Sequence, residues 1–424
     1  ANHLLDVIVT SLAAGVFFAF ARSALGNRIA WLATLFLAGY PQLIGHAQYN
    51  PKDVPVLVAS LCMFAALHKL LVSRAKRWAV LAGFLFGVSL AAKLSAVALL
   101  PALLVILGIA FMKSLRAAPD RRGDVAKRDG ILLALCVVFT AIGTFAAWPT
   151  LWFQPLLIID SLHVFLLESF WPGKVLYFGT EYAGADLPWH YIPVMFFIAT
   201  PVLTLLCFAA GSVSATRRAI RSDRWQIYVI ALAWFFVPLL LTLKPGLVRY
   251  DGIRQLLFCI PALALLAGIG FDRLLTFASA RLPWKPLPLV LIAAVVLWTG
   301  MEIVRVFPFE GSYVNETVRL AIPNNIDDTF EIEAWGASYR QAHDWIADNV
   351  KPGEIVCVPI ADYLVTWYVW PEGIRFGCTD EARYVMFFTR YSKSYRTRFE
   401  RLTPVYEIRR YDSPLLLIYD VKPR

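Results

Sequence analysis

Long apolar runs recur along the 424-residue chain, separated by short polar turns. A run of about 20 apolar residues is long enough to cross a bilayer as a helix. Ten such segments are predicted: 4–21, 29–45, 53–71, 78–92, 94–112, 131–149, 189–210, 225–243, 253–271 and 286–304. Residues 78–112 are nearly all apolar and interrupted only by Lys93. As one helix they would rise about 50 Å, against a hydrocarbon core of about 30 Å. Two helices breaking near Lys93 fit better. The first would rise only about 22 Å, leaving Lys93 below the membrane surface. There it either sits in a cavity with a partner or snorkels to the headgroups.

Beyond residue 304 the pattern changes. ASYRQAHDWIADNV has helical periodicity, whereas GEIVCVPI, RYVMFFTRY, TPVYEIRRY and LLLIYDV predict strands, the last two joined by a hairpin around Ser413-Pro414. The predicted fold class is an α-helical polytopic membrane protein with a small C-terminal α/β domain. Its boundaries are a transmembrane domain over 1–304 and an extracytoplasmic domain over 305–424. The tail has no Gly-rich phosphate loop, nucleophile elbow or paired metal ligands. It reads as a lid, an acceptor-recognition module or a structural module.

Composition agrees with the membrane class: 59% hydrophobic, 17% charged, mean hydropathy +0.61, against about 25% charged in a typical soluble domain. The pI of 9.3 therefore reports topology before any nucleic-acid partner, and no basic cluster is interleaved with exposed aromatics. Alternate loops carry nineteen Lys and Arg residues, the other set six. The positive-inside rule places the rich set in the cytoplasm, so Ala1 and everything after 304 lie outside. Four of the six cysteines fall in apolar runs; Cys357 and Cys378, in the tail, can pair in an oxidising compartment.

The outer face collects the chemistry. GHAQYNPKDVP, residues 45–55, places Lys52 and Asp53 in a turn between two apolar segments. Asp53 either caps the following helix or belongs to an active site. LKPGLVRYDGIRQ brings Arg249, Tyr250, Asp251 and Arg254 together. These could hold a phosphate or form an Arg–Asp pair capping the next helix. The long connection 148–191 contains an apolar stretch, 151–170, read as an amphipathic interfacial helix. Trp148, Trp152, Trp171 and Trp189 there form either an aromatic belt or the wall of a lipid-binding cavity.

Several segments, in order, resemble the integral-membrane glycosyltransferases of the GT-C fold that use polyprenyl-phosphate sugars, the protein mannosyltransferase-like and aminoarabinose transferase-like enzymes. They are HAQYNPKDVP, GVSLAAKLSAVALLP, PWHYIPVMFFIATP, YDGIRQLLFCIPALALLAGIG and AWGASYRQAHDWIADN. The resemblance implies transfer of a sugar from a polyprenyl-phosphate donor to an acceptor hydroxyl at the outer face of a bacterial-type plasma membrane. The acceptor is a glycan, lipid or protein, and membrane lipid is a further partner. It implies Asp53 as a catalytic carboxylate. Lys52, Lys93, Arg249, Tyr250, Asp251, Arg254, Trp189 and His190 would bind substrate. No cofactor is specified, and a divalent cation is left open. Two departures stand out. Gln255 follows Arg254 where the family pattern has His. The sequence also begins at what matches the second family span, so the family's first span and its acidic outer loop are expected to precede Ala1. A lipid or solute transporter, or a non-catalytic membrane subunit related to such enzymes, is the alternative. No internal repeat or paired broken helices support transport.

Overall fold

The computed structural model describes residues 2–168, 171–324, 326–367, 369–390 and 397–422. The chain divides into two compact units: residues 1–170, 200–245 and 253–301 form one, and residues 171–199, 246–252 and 302–424 the other.

The first unit is a helical bundle. It contains α1 (Asn2–Leu25), α2 (Asn27–Ala38), α3 (Pro41–Tyr49), α4 (Asp53–Ser73), α5 (Lys76–Ala92), α6 (Leu99–Ala117), α7 (Arg122–Ala147), α8 (Thr150–Phe153) and α9 (Leu157–Leu167). α10 (Tyr191–Ala199) belongs to the second unit; α11 (Val202–Arg221), α12 (Trp225–Leu241) and α13 (Ile260–Arg281) return to the first. α14 (Leu287–Val306) follows.

Among the described residues, six helical segments are long and apolar enough to cross a membrane, or seven if the broken pair α10 and α11 counts as one span. The chain is a polytopic helical membrane protein. Other predicted spans fall on shorter helices. α2 has 12 residues and α5 and α12 have 17 each, below the roughly 20 a perpendicular span needs. Two predicted spans are interrupted. The segment 29–45 stops at Gly39 and restarts at α3, where Pro41 occupies the first turn. The segment 189–210 stops at Thr200, because Pro201 lacks an N–H and pushes its predecessor out of the helical region. The break in 78–112 falls at Lys93, whose backbone is extended, and a 3-10 turn over Leu94–Ala98 leads into α6.

Small residues set the closest crossings, as expected where lipid tails offer no hydrophobic drive between helices. At the α11–α13 crossing, a Cβ on Gly211 would meet the Leu266 carbonyl carbon at 2.7 Å and the Gly270 nitrogen at 2.9 Å. Between α5 and α7, Thr140 and Thr144 donate hydroxyl hydrogen bonds to the carbonyls of Gly83 and Gly87, at 3.1 and 3.3 Å. α13 is buried almost throughout, whereas α14 is mostly exposed. The predicted interfacial stretch 151–170 is split at Gln154-Pro155 into α8 and α9, and residues 169 and 170 lie outside the described residues. α9 buries no side chain fully.

The second unit holds a hairpin, β1 (Lys174–Tyr177) with β2 (Thr180–Ala183), that the hydropathy pattern does not reveal. Its turn residues Phe178 and Gly179 both have positive φ, which matches the twist of paired strands. After α15 (Glu316–Ala321) and α16 (Tyr339–Asn349) come β3 (Ile355–Cys357), β4 (Arg375–Phe376), β5 (Tyr384–Phe388), β6 (Tyr406–Arg410) and β7 (Ser413–Asp420). They form one mixed sheet in the order β4-β3-β5-β7-β6, parallel on the β4–β3–β5 side and antiparallel elsewhere. The central strands β5 and β7 are buried on both faces, which explains their unbroken apolar runs. α16 packs on the sheet through Tyr339 against Phe388 and Trp345 stacked on Tyr406. The closing turn is at Tyr411-Asp412, both left-handed, so Ser413-Pro414 begins β7 rather than forming the turn. Tyr391, the end of one predicted strand, lies outside the described residues. Cys357 and Cys378 form a disulfide.

Candidate functional site

The turn between α3 and α4 is built around Asn50. Pro51 disfavours a helical Asn50, and Asn50 terminates α3 with φ −115° and ψ 84°. Its side-chain oxygen accepts the backbone N–H of Asp53 at 3.0 Å and of Lys52 at 3.3 Å. These are among the N–H groups that a helix start leaves without carbonyl partners. Its amide donates to Asp53 Oδ2 at 2.8 Å and to His46 Nδ1 at 3.0 Å. Asn50 is fully buried. The capping task therefore falls to Asn50, and the Asp53 carboxylate is released for another use.

That use is an ion cluster. Asp53, buried, takes the Lys93 ammonium on Oδ1, and Arg254 Nε stands 3.9 Å from Oδ2. Arg254 opens the 3-10 turn that precedes α13. Three helix ends thus meet at one carboxylate: the start of α4, the break after α5 and the approach to α13. Lys93 and Arg254 keep 22% and 19% of their side-chain surface exposed, so the cations remain reachable while their counter-ion is not. His46 lies in α3, outside the six candidate spans. Burial lowers its pKa to about 3, with Asp53 opposing and the two cations reinforcing the shift. It is a neutral ring whose Nδ1 accepts from Asn50. Lys52 is exposed and forms no ion pair among the described residues.

An apolar cavity of about 550 Å³ lies in the same unit. Leu90, Leu94 and Val97, which flank Lys93 in sequence, line it together with residues of α4, α6 and α7. The cation cluster and an apolar cavity therefore share the helix break at Lys93.

The other predicted residues lie in the second unit. Arg249 is buried and donates to the Leu187 carbonyl at 3.0 Å; desolvation lowers its pKa from the ordinary guanidinium value. Tyr250 stacks on Trp171, ring centroids 4.8 Å apart and 7° from parallel. Asp251 is left-handed and pairs with Arg390 at 2.5 Å; Arg390 also approaches Glu331 at 3.1 Å and lies over the Trp171 ring. His190 shares a 2.6 Å hydrogen bond with Tyr177, and Trp189 is exposed. Arg249, Asp251 and Arg254 are thus neighbours in sequence with different partners.

Asn50, His46 and Arg390 complete these clusters. Asn50 has a local signal, since an Asn before proline and three residues ahead of a helix start is well placed to cap. Arg390 has none, being 139 residues from Asp251. Among the described residues, no group of three or more His, Cys, Asp or Glu is placed to hold a metal ion.

A model of the family described as dolichyl-phosphate-mannose-protein mannosyltransferase matches residues 2–148, the segment that carries Asn50, Asp53 and Lys93. The chain also aligns with ArnT from Cupriavidus metallidurans. Bound to undecaprenyl phosphate, that protein is 16% identical with a TM-score of 0.48; in the apo state it is 17% identical with a TM-score of 0.49. Both alignments cover 98% of this chain and 83% of that one. The apo oligosaccharyltransferase of Archaeoglobus fulgidus aligns at 12% identity and a TM-score of 0.45, over 87% of this chain and 49% of that one. No curated protein matches the sequence.

Proposed function

We propose that the chain transfers a glycosyl group from a polyprenyl-phosphate-linked sugar to an acceptor hydroxyl at the outer face of a membrane. The observation that carries this reading is the buried Asp53 between the reachable cations Lys93 and Arg254, with Asp53 and Lys93 in the segment matched by the mannosyltransferase family model. In such a transfer the bond from the anomeric carbon to the phosphate oxygen breaks, and a bond to the acceptor oxygen forms. The acceptor's proton leaves with the departing phosphate or with water, since both Asp53 oxygens are already engaged. Negative charge grows on the departing lipid phosphate, and fixed cations lower that barrier. Lys93 and Arg254 would receive the phosphate. Both Asp53 oxygens are engaged, so its role is to hold the two cations in place. The apolar cavity beside Lys93 would take the first isoprene units, which lets the lipid stay within the membrane. Trp189 and Tyr250 lie in the second unit, where Arg249 and Asp251 shape the backbone beside them. The charge asymmetry of the loops favours an outer location for the Asp53 turn and the C-terminal sheet.

The test uses purified protein in lipid bilayers with radiolabelled polyprenyl-phosphate sugars, following loss of label from the lipid fraction. Asp53→Asn and Lys93→Ala should each abolish transfer while the protein remains monodisperse. Wild-type turnover by both variants would end this assignment.

A further inference from the structure

α4 starts at Asp53 and ends at Ser73, a rise of about 31 Å. Its far end therefore lies at the opposite membrane surface from the Asp53 cluster. There Arg74 closes α4 in a left-handed conformation and is tied to two neighbouring helices. It donates to Ser114 Oγ of α6 at 2.7 Å and stands 3.5 Å from Asp129 Oδ2 of α7.

Two cavities share Arg74 and Leu132 as walls. One, about 340 Å³, is apolar and lies between α4, α6 and α7; Leu70, Leu107, Phe111 and Leu133 line it. The other, about 230 Å³, is lined by Lys76, Lys127, Arg128 and Asp124. Around this second cavity Arg74, Lys76, Lys127 and Arg128 outnumber Asp124 and Asp129. Asp129 is shared by Arg74 and Arg128. Lys76 and Lys127 are exposed and have no acidic partner among the described residues.

The apolar cavity also contains two helix-interior glycines, Gly108 in α6 and Gly130 in α7. Glycine is disfavoured inside a helix, and the glycines of the α5–α7 and α11–α13 crossings are explained by close backbone contact. Gly108 and Gly130 are not: a Cβ on either would meet nothing within 4 Å. Their effect is to leave space. An apolar slot between helices, joined at the membrane surface to an excess of cations, matches a molecule with an anionic head and a hydrocarbon chain.

We propose that this face binds one anionic phospholipid. Lys76, Lys127 and Arg128 hold its phosphate headgroup, and an acyl chain enters the slot kept open by Gly108 and Gly130. The inference is independent of the glycosyl-transfer reading.

Native mass spectrometry of the detergent-purified chain, titrated with phosphatidylglycerol or phosphatidylcholine, tests it. Three basic side chains at a membrane surface correspond to a roughly 100-fold preference for the anionic lipid. Wild type should retain one phosphatidylglycerol with that preference. Lys76→Gln/Lys127→Gln/Arg128→Gln should lose the preference, and Gly108→Leu/Gly130→Leu should lose the bound lipid with every cation still present. Equal retention of the two lipids by wild type overturns the proposal. So does undiminished retention by the glycine variant, which would make the slot irrelevant, or displacement of the lipid from wild type by millimolar inorganic phosphate, which would indicate a site for a free anion. Size-exclusion profiles matching wild type exclude misfolding as the cause of loss.

Discussion

Lys93 provides the sharpest separation of structural from chemical roles. Its ammonium is paired with Asp53, whose side chain is 5% exposed. A cation and carboxylate about 4 Å apart near a protein surface attract by about 4 kcal/mol, before the desolvation of both is subtracted. Lys93→Met leaves a buried carboxylate with the Asn50 amide and the more distant Arg254. Breaking a buried pair in this way costs about 3–5 kcal/mol. The partial exposure of Lys93 places the expectation near the lower end. Replacing both partners, Lys93→Met with Asp53→Leu, removes the unpaired carboxylate but leaves Arg254 without its counter-ion and the Asn50 amide without its acceptor. The double variant should therefore recover part of the lost stability, with a coupling of about 1–2 kcal/mol, measured as resistance to denaturant in a fixed detergent. Transfer from the lipid donor should stay absent in all three variants. Two results refute this reasoning: a double variant no more stable than the sum of its single changes, or one that regains transfer along with stability. The first removes the ion pair, and the second reduces it to a structural staple.

Asn50→Ala should cost about 1–2 kcal/mol through lost capping and reduce transfer at least tenfold, because the Asp53 carboxylate loses its orienting amide; kinetics alongside thermal melts check both. Cys357→Ser/Cys378→Ser opens a link between residues 21 apart, worth about 3 kcal/mol in the chain-entropy account. Reductant should lower the melting temperature of wild type and leave that of the variant unchanged. Burial raises the pKa of Glu333, partly opposed by the N–H groups of Trp335 and Gly336. The folded state thus favours the protonated acid. Its stabilising contribution is full below about pH 4.3 and is lost as pH rises through the folded value. Over that rise wild type should lose stability relative to Glu333→Gln in parallel melts, and superimposable pH profiles would remove Glu333 from the account.

The fold was legible where the cause is local. Lys93 stops a helix because a charge in a long apolar run is costly, and that cost is visible in the sequence. Strands β5 and β7 announce themselves by unbroken apolar runs. The break at Thr200-Pro201 had a visible cause in its proline, yet hydropathy averaged over the segment concealed it. The β1–β2 hairpin was hidden by its brevity, since four-residue strands give too few positions for an alternation to stand out. Charge partners were legible least. Arg249, Asp251 and Arg254 sit within six residues, and proximity in sequence suggested one cluster. Asp251 and Gly252 are both left-handed; Asp251 pairs with Arg390, whereas Arg254 faces Asp53.

The helix interruptions and the charged cluster have one physical origin. An unbroken helix satisfies its own backbone and offers no reason for polar side chains within a bilayer. A helix that stops there frees N–H and carbonyl groups, and these require polar partners. At α4 the freed N–H groups fall to Asn50, and a side chain suited to that task also positions the carboxylate beside it. At α5 the stop exposes an extended Lys93, with an ammonium able to reach the same carboxylate. Moving either stop by one residue would turn its side chain about 100° around the helix axis and separate the pair. The punctuation that ends the helices thus sets the geometry of the cations. Restoring continuous helix at Asn50-Pro51 should therefore disperse the cluster even with Asp53, Lys93 and Arg254 all present.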